Sequence, residues 1–89
     1  GELRVELGNG KYYLLDGYCK ENNTAYEFHG DVFHGNPNIY KSEDKCHPYN
    51  DSTAGQLLEY TLQKEDNLRK MGFNVVTVWE AEWNKMVNA

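Results

Sequence analysis

The 89-residue chain is long enough for one domain with a single core. Its formal charge of −5, with no run of Lys or Arg, argues against a stand-alone polyanion binder, because phosphate attraction dominates non-specific nucleic-acid affinity. Seven Tyr and two Trp can fill a small interior with rings, and two cysteines without CxxC spacing exclude a disulfide scaffold and a zinc ribbon.

No apolar run approaches the roughly 20 residues a bilayer requires, so no membrane partner is expected. No signal-peptide pattern is read at the start of the sequence, and the expected location is intracellular. The chain begins at Gly1 inside a strand-like segment, which suggests one domain, residues 1–89, excised from a longer protein.

ELRVEL (2–7), GNG and KYYLLDG (11–17) read as a β-hairpin turning at Asn-Gly. GYCKENNTAYEFHG suggests a second hairpin with KENN at its tip. If residues 19 and 24 close that loop, Asp16 lies directly opposite Glu27. Two carboxylates so close repel unless a cation lies between them, so the register predicts a metal site. Within AYEFHG, Tyr26 and Phe28 take one face of the strand, and Glu27 and His29 the other.

Residues 30–52 lack periodicity, and a connection that long is more often functional than idle. Thr53 and Gln56 fit a capping box for a helix running to Lys70 or Met71, with Gly72 ending it. Leu57, Thr61, Lys64, Leu68 and Met71 form one stripe on that helix, apolar at its ends only. FNVVTVW (73–79) is apolar on both faces, which predicts a central strand. EAEWNKMVNA is a short helix with Trp79, Trp83 and Val87 four apart, and Trp79 is expected in the core. The fold class is α+β: a small mixed sheet in the order β-β-β-α-β-α, flanked by helices.

The chemistry-bearing residues collect in and after YEFHGDVFHGNP. Asp16, Glu27, His29 and His34 are the candidate catalytic group. Asp16 and Glu27, carboxylates on neighbouring strands, suit a hard ion such as Mg²⁺ (or Mn²⁺), with His29 expected to orient or deprotonate a water and His34 to contact the scissile phosphate or leaving oxygen.

Asp16, ten intervening residues, then Glu27-Phe28-His29 resembles the D…ExK core of the PD-(D/E)XK nucleases, with His in the Lys position. YEFHGDVFHGNP together with LRKMGFNVVTVWE (68–80) resembles, more narrowly, the very short patch repair endonuclease group and its homing-endonuclease, viral and mobile-element relatives. The resemblance spans roughly residues 11–83 and implies a restriction-endonuclease-like mixed sheet. It implies Mg²⁺ held by Asp16 and the Phe28 carbonyl, His29 and His34 lining the site, and DNA as substrate. Phe33 then corresponds to a wedge facing DNA, with Val32 in place of a second one.

The group's structural zinc falls at Asp31, Asn36, Asn38 and Ala81, so no structural zinc is expected. The group's helical aspartate falls at Thr61, and the group's N-terminal helix with a further acid would fall before Gly1. These departures argue against mismatch-directed repair. Lys64 reads two ways: a stem covering the sheet with its ammonium in solvent, or an ammonium aimed at a phosphate beside Thr61.

Two functions remain open at this stage. One is a Mg²⁺-dependent DNA endonuclease domain, acting alone or only with upstream residues or an additional DNA-targeting domain. The other is a non-catalytic DNA-binding or assembly module retaining the fold.

Overall fold

A computed structural model describes residues 3–88. They form a mixed α+β arrangement of five strands and three helices: β1 (Leu3–Gly8), β2 (Lys11–Leu15), β3 (Gly17–Cys19), β4 (Thr24–His29), α1 (Asp31–His34), α2 (Ala54–Lys70), β5 (Asn74–Trp79) and α3 (Glu80–Val87). No helix among them is long and apolar enough to cross a membrane.

The first hairpin turns at Asn9-Gly10, both with positive φ (55° and 76°), the type I′ geometry that matches the twist of the flanking strands. The second hairpin has the expected register: Gly17 pairs with Tyr26, Tyr18 with Ala25, and Cys19 with Thr24. The expected strand KYYLLDG (11–17), shared by the two hairpins, is nevertheless interrupted at Asp16. Residues before it pair with β1 in a two-stranded sheet, while residues after it join a second sheet ordered β3-β4-β5.

The second sheet is mixed, with β3 antiparallel and β5 parallel to β4. β4 is therefore the central strand, and the expectation that residues 73–79 would be central is corrected: β5 is an edge. Its apolar residues on both faces reflect α2 on one side and a half-exposed sheet face on the other, not a neighbour on each edge.

The core joins Val5 and Leu15 of the hairpin, Ala25 of β4 and Leu68 of α2, with Tyr13, Tyr18, Phe73 and Val75 packed around them. α2 is held at both ends. Thr53 and Gln56 form the capping box, each side chain bonded to the other's backbone N–H. At the other end the Gly72 N–H donates to Arg69 and the Phe73 N–H to Leu68, a Schellman closure with Gly72 at φ +98°. The helix thus stops at Lys70, and the chain turns directly into β5.

The buried residues of α2 are Ala54, Thr61, Glu65 and Leu68. Met71, expected on the packed stripe, is exposed because the helix has already ended. α3 buries none of its residues, and Trp83 and Val87 are exposed. Trp79 is only partly buried, and its ring lies against two imidazoles.

Candidate active site

The alternation in β4 is realised, with an inverted economy of burial. Glu27 and His29 are 4% and 3% exposed, whereas Tyr26 and Phe28 are 41% and 46% exposed. Burying a carboxylate and an imidazole costs free energy unless both are paired, while burying two aromatic rings would have been favourable. A strand that turns its polar face inward gives up stability to hold those groups in place.

The break at Asp16 places its side chain across the gap between the two sheets. The Asp16 N–H donates to Glu27 Oε2 at 3.1 Å, and the Phe28 N–H donates to Asp16 Oδ2 at 2.9 Å. These crossing bonds replace the ladder where the backbone of β2 departs. The N–H and C=O of one residue leave a pleated strand on the same side, so the Phe28 carbonyl emerges on the edge where Asp16 lies. Asp16 itself is exposed.

Glu27 is held at its second oxygen by Lys64, whose Nζ lies 2.5 Å from Oε1 and also donates to the Leu14 carbonyl at 2.9 Å. The Lys64 ammonium therefore points inward to the carboxylate, and neither of the two sequence readings described that arrangement.

The His29 and His34 rings lie against each other with centroids 4.6 Å apart and planes inclined at 43°, and Trp79 lies edge-on to both. His29 Nε2 is 3.1 Å from Glu65 Oε1, and its buried Nδ1 has no partner. Because a carboxylate only accepts, Nε2 carries the proton in this pair.

His34 Nδ1 is 2.9 Å from Thr61 Oγ1, and that hydroxyl donates to the Leu57 carbonyl one turn back. With its proton so committed, Thr61 accepts from His34 Nδ1–H, which leaves Nε2 as the basic nitrogen. Burial, then the neighbouring His29 and Lys64, lowers the His34 pKa to about 4, with Asp16 and Glu65 opposing the shift. His34 is thus neutral throughout the physiological range.

Thr61, expected beside a phosphate, is buried and serves instead to orient His34. Glu65, which sequence reasoning missed, is 6% exposed and anchors His29. The signal was present: Thr61, Glu65 and Leu68 are spaced i, i+4, i+7, but an acid beside Lys64 reads as solvent-facing.

α1 carries His34 to the site. Gly35 ends it in the left-handed region (φ +65°), and a Cβ there would overlap the Ala54 carbonyl oxygen, so glycine lets α1 close against the start of α2. Phe33 is 46% exposed, with the His47 ring edge-on to it at 5.3 Å.

Asp31, Asn36, Asn38 and Ala81 come together from two distant segments. Asp31 Oδ1 accepts from Asn36 Nδ2 at 2.8 Å and the Ala81 N–H at 3.4 Å, while Asn36 Oδ1 accepts from the Asn38 N–H at 2.9 Å. The Asp31 N–H in turn donates to Glu80 at 3.0 Å. Hydrogen bonds here tie the loop after β4 to the start of α3.

Among the described residues, no cluster of three or more His, Cys, Asp or Glu side chains is arranged as a metal site. Glu27, expected as a metal ligand with Asp16, has both oxygens engaged by the Asp16 N–H and Lys64, so Asp16 and the Phe28 carbonyl are the two oxygens left on that edge, a donor set suited to Mg²⁺ or Mn²⁺ retaining most of its waters and unsuited to zinc. Comparison with family models, curated proteins and solved structures finds no match to this chain.

Proposed function

We propose that this chain is a Mg²⁺-dependent DNA endonuclease domain of the very short patch repair type, with a restriction-endonuclease-like sheet, hydrolysing or nicking a phosphodiester. The observation that carries the reading is the inverted burial of β4, which keeps Glu27 and His29 inside and gathers Asp16, His34 and Lys64 around them. The convergence of Asp31, Asn36, Asn38 and Ala81 supports it, since the resemblance assigns those four positions to one site.

Asp16 and the Phe28 carbonyl would hold Mg²⁺ or Mn²⁺, which when bound lowers the pKa of a water and offsets charge on the phosphate. Glu27, fixed between Lys64 and the Asp16 amide, orients Asp16. His34, with Nε2 unprotonated, accepts a hydrogen bond from the attacking water and orients it, while the water's proton passes to solvent. With a pKa of about 4 it carries a proton in about one molecule in a thousand at pH 7, too rarely to protonate a leaving oxygen. His29, anchored by Glu65, packs against the His34 ring, and both serve as positioning residues.

The test is nicking of supercoiled plasmid in Mg²⁺ by the wild type, Asp16→Ala and His34→Ala. The expected result is nicking by the wild type only. Equal nicking by all three overturns the assignment.

The Glu27–Lys64 pair favours a second reading. By neutralising one of the two carboxylates from within, it leaves a fold able to stand as a non-catalytic DNA-binding or assembly module. That reading expects no divalent-cation binding at Asp16.

A further inference from the structure

A groove continues from the candidate active site between the first hairpin and α2. The cavity of about 270 Å³ lined by His29 and His34 shares Tyr12, Tyr13 and Tyr60 with a neighbouring cavity of about 440 Å³, which Leu7 and Lys11 also line. Tyr13 is fixed on the groove: its hydroxyl accepts from Asn67 Nδ2 at 2.9 Å, and the Lys64 ammonium lies 5.6 Å from its ring centre. Tyr60 is 65% exposed on α2, a large ring left in solvent where a helix surface ordinarily carries charge.

The groove departs from the acidic character of the chain. Lys11 is the charged residue lining the larger cavity, and Glu27, the acid lining the smaller one, is already paired with Lys64. A positively biased channel with an exposed aromatic ring is the usual means of holding a single nucleic-acid strand, since every base offers a π-face.

We propose that this groove binds single-stranded DNA, an unpaired base stacking on Tyr60 while Lys11 faces the backbone phosphate. The proposal rests on the nuclease reading for the site at the groove's end, and it gives that site an unpaired or frayed strand as substrate.

The experiment is done in EDTA, so that cleavage plays no part. A short deoxyoligonucleotide containing 2-aminopurine is titrated with wild type, Tyr60→Ala, Tyr60→Phe and Lys11→Ala, with the same sequence as a duplex alongside. Ala is the best helix former, so Tyr60→Ala keeps α2 intact. The single strand should bind more tightly than the duplex and quench on stacking. Tyr60→Ala should lose about tenfold in affinity and Tyr60→Phe should retain it. Lys11→Ala should lower the salt slope by about one.

Equal affinity for both forms, unchanged binding by Tyr60→Ala, or no binding at all overturns the proposal. Metal-dependent nicking without single-strand preference overturns this inference alone. Single-strand preference without nicking overturns the enzymatic reading alone.

Discussion

Replacing Lys64 by methionine tests whether the inward-turned face of β4 depends on internal charge pairing. Methionine retains most of the aliphatic stem, so the change removes the ammonium rather than the packing. It strands Glu27, whose side chain is 3% exposed, with the Asp16 N–H as its remaining partner. Breaking a buried pair by deleting one member costs about 3–5 kcal/mol, because the other charge remains desolvated. The Lys64 side chain is 20% exposed, so water can reach the vacated position and the lower end, about 3 kcal/mol, applies. For a domain of this size that lowers Tm by about 12–24 °C. Thermal and urea unfolding of Lys64→Met, Glu27→Gln and the double variant measure the effect. The double variant should recover most of the loss, since glutamine keeps an acceptor for the Asp16 amide without a charge to bury. A Tm within a few degrees of wild type for Lys64→Met, or a double variant no better than the single, would refute the reasoning.

The His34 pKa of about 4 lies below the ordinary 6.5, so between those values the unfolded chain binds a proton that the folded chain does not. The stability this group contributes is full above about pH 6.5 and is lost as pH falls toward about 4. An NMR titration of the His34 ring should have its midpoint near 4, and a midpoint near 6.5 would show that the ring is solvated. Gly35→Ala meets both a left-handed φ and the Ala54 carbonyl, and should cost more than about 2 kcal/mol while displacing His34 from Thr61. Gly8→Ala, with φ +89° in open space, is the control and should cost about 1 kcal/mol by chemical denaturation.

Local chemistry made parts of this arrangement legible in advance. Asn9-Gly10 and the Thr53/Gln56 box act within a few residues, so they form as their spacing dictates. The pairing of Gly17–Cys19 with Thr24–Tyr26 follows from loop length, but the pair expected next, Asp16 directly opposite Glu27, is not formed: the ladder ends at Gly17, Asp16 is exposed and Glu27 is buried. Side-chain exchange there was not legible: the backbone parts at Asp16, and carboxylates take over from carbonyls. Glu65 was missed because the rotation of α2 is set by what it meets, and His29 offers an acid a reason to be buried. β5 showed the same dependence on tertiary context. Its apolar residues report faces that are covered or half-covered, and carry no information about which strand lies at the edge.

The claim on which the enzymatic account turns is that Asp16 and the Phe28 carbonyl hold a divalent cation beside a neutral His34. Substoichiometric Mn²⁺ added to isotopically labelled protein tests it directly, because paramagnetic broadening reports position. The account expects the amide signals of Asp16, Phe28 and His29 to broaden first, and this selectivity to vanish in Asp16→Ala. Broadening that begins elsewhere, such as at Asp31 and Glu80, or that is unchanged in Asp16→Ala, would contradict it.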